Sequence, residues 1–530
     1  VTSRFVPPAG GPASRVIGIV GLAAFVLSLL AWALASPVGA TPDEDYHLAS
    51  IWCGHGARSG LCEPGETSTT REVQQRLLSS PCFAFQPPES AACQGPIMND
   101  DTELVETRRG NFDGSYPPLF YFTMSFLVGD HVADSVILMR VMNILVVVLM
   151  LAATWLAAPS GLRRGLVAGV AVTVVPLGMF LLPSINPSSW ALLSAMTLPI
   201  AVLGYITTED RRRRLLLGAL AAVALVIGAG ARADAAMYGA LAIGLAGIMT
   251  LRTGWAHVRR LVYPAVLGVA ALFAFFTTGQ SESIQGGASV TMSFPAFLRL
   301  MGDIPALWTG ALGSWGLGWL DTYMPAVVSI AAWGALVGVV FAALAGADLR
   351  QLAALVVGGV AVWVVPTYMQ YLSGYPVGAS VQPRYILPII VIIAVVAVSR
   401  VRGPAVRWSG GQWLLVVAAL SVANAEALHF NIRRYVTGAE VVDPNLGNAV
   451  EWWWPSLPVG PMLVWLTGAV TFAVAVALLT LPMVRASDAV ERRDPADEAE
   501  PGLDGTPDSE PTASHDALVM PGEPVAGTAR

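Results

Sequence analysis

The chain holds 530 residues, 55% hydrophobic and only 12% charged, far below the roughly 25% charged residues of soluble domains, so water is not its main solvent. The formal charge of −6 is concentrated at one end: residues 486–530 hold 11 acidic groups against 3 Arg, leaving about +2 on the rest. That remainder offers no basic face for nucleic acid, whose binding rests on many phosphate contacts, and nucleic acid is excluded as a partner.

A bilayer core about 30 Å thick takes about 20 apolar residues per helix. Hydropathy predicts spans near 16–37, 134–158, 165–182, 190–207, 215–230, 236–251, 261–277, 325–345, 351–371, 384–400, 411–427 and 459–483. The expected fold class is therefore an all-α polytopic membrane protein with about 12 transmembrane helices, the lipid bilayer being its first partner. Residues 1–15 form an N-terminal segment and 16–484 the membrane domain. Residues 485–530 are rich in Pro, Gly, Asp and Glu and lack aromatics; such a stretch cannot bury enough surface to fold alone and reads as a disordered acidic tail. The first hydrophobic run is longer than a typical signal-peptide core, which favours its retention as a span over removal.

Arg163 and Arg164, Arg211 to Arg214, the 252–260 stretch, Arg350 and the 400–407 stretch fall in every second loop. Positive-inside bias then places both termini in the cytoplasm of a bacterial plasma membrane. The opposite loops, 38–133, 278–324, 372–383 and 428–458, are longer and chemically richer, which puts the expected site outside the cell. All four cysteines, Cys53, Cys62, Cys82 and Cys93, lie in the first of them. An even number in an extracytoplasmic loop reads as two disulfides of open connectivity. A zinc site is the alternative, though metal cysteines usually come as close C-x-x-C pairs.

Directly after the first span comes Thr41-Pro42-Asp43-Glu44-Asp45-Tyr46-His47. A carboxylate at a poorly hydrated boundary can be tuned into a general base for a sugar hydroxyl; the bland reading is a turn in which Asp43 or Glu44 caps a short helix. The same loop closes on Tyr116-Pro117-Pro118-Leu119-Phe120-Tyr121-Phe122, a stiff pair of prolines before an aromatic run suited to an interfacial helix. Arg384 stands where a loop enters a helix, placed either to clamp a lipid phosphate or to snorkel. Arg232 and Asp234 form a short charged pair that can neutralise itself. Arg140, inside the second span, needs a partner there, and Asp134 is the expected one. Asn186 to Ser189 fit a turn with helix caps. Asp321 beside Trp315 and Trp319 offers a carboxylate next to aromatic faces, and Trp452 to Trp454 read as interfacial anchors. No phosphate-binding loop opens an α/β unit, so a cytoplasmic nucleotide sugar is not supported.

PDEDYHLA after the first span, followed by YPPLFYF before the second, resembles the GT-C superfamily of membrane glycosyltransferases, which includes lipid A aminoarabinose transferases and protein O-mannosyltransferases. Residues 316–322, GLGWLDT, and 381–388, VQPRYILP, resemble a less characterised bacterial branch. The resemblance implies a GT-C-like fold with interfacial helices in the first extracytoplasmic loop. It also implies a polyprenyl-phosphate sugar as donor substrate and a glycan, glycolipid or protein as acceptor. In such enzymes the acid after the first span is the base, which gives Asp43, with Glu44 second. Arg384, with Arg232 and His47, is assigned to the donor phosphate, and Tyr46, Tyr116, Asp321, Trp319, Gln382 and Tyr385 to substrate binding. This chain has Ser115-Tyr116 where the better-known relatives often carry a charge before the proline pair. No resident cofactor is expected, and a divalent metal at the three carboxylates is possible in principle but not predicted. The rival classes are a transporter or lipid flippase, whose sites lie near the midplane of repeated halves, and a noncatalytic partner of an envelope-polymer synthase.

Overall fold

The computed structural model describes residues 12–79, 82–98, 103–278, 292–379, 381–403, 406, 408–448 and 451–491. Most of the N-terminal segment 1–15 and of the acidic tail 485–530 lies outside the described residues.

In chain order the helices are α1 (Pro12–Leu34), α2 (Glu44–Trp52), α3 (Gly95–Met98), α4 (Leu119–Met124), α5 (Val132–Ala157), α6 (Ser160–Ala171), α7 (Leu177–Leu181), α8 (Ser188–Thr207) and α9 (Arg211–Ala231). They continue with α10 (Ala233–Thr250), α11 (Trp255–Thr277), α12 (Phe294–Asp303), α13 (Pro305–Thr309), α14 (Ala326–Leu344), α15 (Leu349–Ser373), α16 (Pro383–Val398), α17 (Gly410–Val436) and α18 (Pro461–Glu491). Among the described residues, 10 helices are long and apolar enough to cross a membrane, so the chain is a polytopic, predominantly helical membrane protein.

Two expected spans take another form. The 165–182 run is divided: α6 ends at Ala171 and α7 begins at Leu177, after Pro176, which has no N–H to continue the ladder. Residues 172–182 are all buried. The 384–400 run becomes α16, 16 residues long, about 24 Å at 1.5 Å per residue and so shorter than the hydrocarbon core. Nearly every side chain of α16 is buried, which explains how so apolar a helix avoids lipid: it packs on α6, α8 and α15. The centre of the bundle is α8, buried along almost its whole length and packed against α9, α10, α16 and α5.

The arginine-rich turns gather at one end. Arg260 pairs with Glu209, and Arg402 reaches the Met249 and Thr250 carbonyls and Asp348. The long loops interlock at the other end. Arg434 donates to the Phe83 and Gln86 carbonyls, Trp319 to Gly39 O at 2.9 Å, and Trp453 and Trp454 to Leu34 O. These last two tryptophans thus cap the open end of α1, and Trp454 is buried rather than anchored in lipid.

The first loop contains a small antiparallel sheet, β1 (Cys62–Pro64), β2 (Arg71–Gln74) and β3 (Leu104–Thr107), in the order β1-β2-β3, which the all-helical expectation omitted. Disulfides Cys53–Cys62 and Cys82–Cys93 settle the open connectivity and staple this loop. Leu48, Ile51 and Trp52 of α2, Phe120 and Met124 of α4, and Trp190 of α8 form the apolar layer under the loop.

Candidate functional site

The turn that leaves α1 is held from three directions. Glu44 accepts from Thr41 N and Thr41 Oγ1, both at 3.0 Å, and its other oxygen accepts from Arg140 at 3.2 Å. Arg140 also donates to the carbonyls of Ala33, Ser36 and Pro37. Asn186, just before α8, donates to Pro42 O at 2.8 Å. This bracing keeps Asp43 in a left-handed conformation, φ 57°, which costs a non-glycine residue on the order of 1–3 kcal/mol. Asp43 is the N-cap residue of α2, yet its side chain caps nothing.

The Asp43 carboxylate instead points between two arginines. Oδ2 meets Arg384 Nη2 at 2.5 Å and Oδ1 meets Arg109 Nη2 at 2.9 Å. Burial opposes ionisation of Asp43, but Arg384 foremost, with Arg109, overrides it and holds the carboxyl well below the usual carboxylate range. His47 adds no positive charge at neutral pH, because burial drives its own pKa down to about 3.

Arg384 enters from the first turn of α16. Its side chain is 4% exposed; Nη2 also donates to Tyr385 Oη at 3.1 Å, while Nε and Nη1 are buried without a partner. Unpaired buried guanidinium donors are costly unless an anion completes them. Gly310 lets Pro383 seat this turn, since a Cβ there would lie 2.6 Å from Pro383 Cγ. A small cleft beside Arg384 is lined by Pro42, Leu177, Leu317, Leu320 and Gln382, and Gln382 Oε1 is buried without a donor.

An aromatic wall surrounds the carboxylate. His47 Nδ1 shares a hydrogen bond with Tyr121 Oη at 2.9 Å. Tyr46 and Tyr116 lie 5.8 Å apart between ring centroids, and His47 stands edge-on to Tyr116 at 5.8 Å. Asn111 ties the wall together, donating to Tyr116 O at 2.9 Å and accepting Tyr116 N at 2.7 Å. Burial, then the neighbouring Tyr385, pushes the Tyr116 hydroxyl up to about 12, so these phenols stay neutral. Arg232 lies over the Tyr385 ring at 4.6 Å and the Tyr116 ring at 5.8 Å.

The structure thus brings Asp43, Tyr46, His47, Tyr116, Arg232, Arg384, Tyr385 and Gln382 to one end of the bundle. It separates the others. Glu44 faces away, into the pair with Arg140. Arg140 therefore has Glu44 as its partner, not Asp134, which is exposed. Asp321 is buried against Arg434 at 2.8 Å, and Trp319 bonds Gly39 and abuts Phe85, so both build the loop layer. Arg232 spends its fork on Asp234, at 2.9 and 2.6 Å. Asp43 and Asp45 share Arg109, so the three clustered carboxylates do not converge on one point. Arg109 and Asn111 are the site residues that sequence reasoning missed. No sequence signal singled Arg109 out, because the same loop also carries Arg58, Arg71, Arg76 and Arg108.

The chain belongs to the family described as predicted membrane protein (DUF2142), whose model matches residues 25–393. Among solved structures it is similar to ArnT from Cupriavidus metallidurans bound to undecaprenyl phosphate, at 14% identity and a TM-score of 0.37, with 87% of this chain and 76% of that one covered. At that TM-score the two backbones diverge too far for residues to be carried from one to the other. No curated protein matches the chain.

Proposed function

We propose that this member of a membrane-protein family is a glycosyltransferase that moves a sugar from a polyprenyl-phosphate donor to a hydroxyl of an envelope acceptor, with inversion. The observation that carries the reading is Asp43, whose carboxylate projects from a left-handed backbone turn and is held against a buried arginine with two unpaired donors inside a wall of tyrosines. A carboxylate alone is a common structural group. A carboxylate beside unfilled phosphate-binding capacity is what displacement at a sugar phosphate requires.

In this mechanism Arg384 binds the donor phosphate at its Nη1–Nη2 end, Nη1 being unpaired and Nη2 given up by Asp43. The phosphate competes with Asp43 for the same guanidinium, so donor binding removes the main charge that suppresses the carboxylate's basicity. Asp43 then takes the proton of the acceptor hydroxyl as its oxygen attacks the anomeric carbon. The carbon–oxygen bond to phosphate breaks, and the polyprenyl phosphate leaves with the electron pair. A single displacement inverts the anomeric centre. Arg232 keeps positive charge over Tyr116 and Tyr385 without direct contact to phosphate, and the tyrosine faces hold the sugar. In the proposed orientation both termini lie on the arginine-rich, cytoplasmic side and the site opens outside.

The test is transfer from a panel of radiolabelled polyprenyl-phosphate sugars into envelope material, using membranes with wild type, Asp43→Asn or Arg384→Ala at matched levels. Transfer by wild type with a loss of at least about 10²-fold in Asp43→Asn is expected for a general base. Equal transfer by Asp43→Asn removes the base assignment, and no transfer from any donor removes the reading itself.

A further inference from the structure

The two oxygens of Asp43 have different neighbours. Oδ2 faces Arg384, sealed in the protein, whereas Oδ1 faces Arg109, whose side chain is 42% exposed. Arg109 comes from the far end of the first loop and is held mainly by Asp45, through Nε to Oδ2 at 2.9 Å and Nη2 to Oδ1 at 3.1 Å. It lies over the Tyr46 ring at 5.8 Å. One guanidinium therefore bridges two carboxylates, with two bonds to Asp45 and one to Asp43. The single bond can break while the double one keeps the side chain in place.

Resting on the glycosyl-transfer reading, we propose that Arg109 is the acceptor-side positioning residue: anchored on Asp45, it covers the outer oxygen of Asp43 until an acceptor hydroxyl displaces it, and so keeps water from acting as acceptor. The chemistry at stake is the same displacement with a different nucleophile. If water occupies the place of the hydroxyl, its oxygen bonds to the anomeric carbon, Asp43 takes its proton, and polyprenyl phosphate leaves with the electron pair. The products are a free sugar and the lipid phosphate. Because the Asp43 side chain is 35% exposed, water can approach it, and the site needs a means of withholding the base until the acceptor is present. The bridge supplies it, because each oxygen of Asp43 already accepts from an arginine, and Arg109 stands on the outer one.

The experiment uses the purified full-length chain in acceptor-free proteoliposomes with the radiolabelled polyprenyl-phosphate sugar that wild type transfers in native membranes, and measures released free sugar. Arg109→Ala is expected to hydrolyse the donor about tenfold faster than wild type, the equivalent of 1.4 kcal/mol at the barrier, with donor KM unchanged. Arg109→Lys keeps the charge but not the planar fork that holds Asp45 by two bonds while a third reaches Asp43, so it falls between the two. Asp45→Asn, which loosens the anchor without touching the base, raises hydrolysis in the same direction. A merely structural role for Arg109 slows hydrolysis and transfer together. If Arg109→Ala still transfers sugar in native membranes but hydrolyses donor no faster than wild type, the covering role is wrong while the transferase reading stands. If wild type transfers from no donor, both fall.

Discussion

Arg384 and Asp43 are 341 positions apart, and Nη2 of the one stands 2.5 Å from Oδ2 of the other. The contact joins the turn after α1 to the first turn of α16, the buried helix too short to span, and so sets the distance between the proposed base and the proposed phosphate-binding group.

Arg384→Ala is expected to raise the donor KM and to lower kcat, because in the proposed mechanism the same side chain binds the ground-state phosphate and stabilises the leaving group. Arg384→Lys restores the charge but not the planar fork, so it recovers part of the KM loss and little of kcat. Steady-state kinetics with varied donor separates the two terms. A variant whose KM and kcat both match wild type places the phosphate elsewhere.

The pH profile follows from the sign of the Asp43 shift. Its folded pKa lies well below the ordinary carboxylate value because Arg384 and Arg109 outweigh burial, so the base form is present throughout the range above that value, near 3.9. Wild-type kcat/KM for the donor is expected to show no acid limb between pH 5 and 7, in order-of-magnitude terms for an unperturbed reference near 4. Removing Arg384 raises the Asp43 pKa and moves the limb upward. His47 stays neutral down to about pH 3, so no inflection belongs to it near its ordinary value, and His47→Gln leaves the shape of the profile unchanged. An inflection near pH 6.5 that disappears in His47→Gln shows instead that His47 titrates during turnover.

Glu44 and Arg140 carry a stability prediction. Their side chains are 0% and 2% exposed, and removing one partner of a buried pair leaves the other charge uncompensated, at a cost of about 3–5 kcal/mol. Glu44→Gln keeps the bonds to Thr41 and is expected to cost less than Glu44→Ala. Arg140→Met loses the bonds to three carbonyls as well and costs most. Thermal unfolding in detergent reads this directly. Loss of transfer in Glu44→Gln without any fall in melting temperature returns Glu44 to a role in the reaction.

The spans were legible because a 20-residue apolar run has few other fates, and Asp43, Arg384 and Tyr385 because charged or aromatic residues at helix ends are conspicuous in so apolar a chain. Adjacent residues were harder: nothing in Asp43-Glu44-Asp45 says that a left-handed turn sends Glu44 inward and Asp43 out. Strands of three or four residues, such as Cys62–Pro64 and Arg71–Gln74, are too short for an alternating pattern to register. Arg109 was invisible for another reason. Its role depends on the fold of a loop closed by two disulfides and a sheet, and no period in the sequence encodes that closure. The run 165–182 looked like a span because hydropathy measures burial and cannot distinguish burial in lipid from burial in protein.

Asp321 tests the same distinction between site and scaffold. Its sequence neighbourhood suggested a sugar-binding carboxylate, but it is buried against Arg434, which also donates to the carbonyls of Phe83, Gln86 and Glu89. Those three carbonyls lie inside the Cys82–Cys93 loop, so Asp321 orients an arginine that organises a disulfide-closed segment. Asp321→Asn is therefore expected to lower the melting temperature while leaving donor KM and the transfer rate per folded molecule unchanged. Cys82→Ser with Cys93→Ser opens a loop with a sequence separation of 11, worth about 3 kcal/mol on chain-entropy grounds. Because Arg434 needs the closed loop and the closed loop needs Arg434, the triple variant should lose less than the sum of the separate losses, by about 0.5–3 kcal/mol. Additive losses show the two devices to be independent, and a raised donor KM in Asp321→Asn at unchanged stability puts Asp321 in contact with substrate.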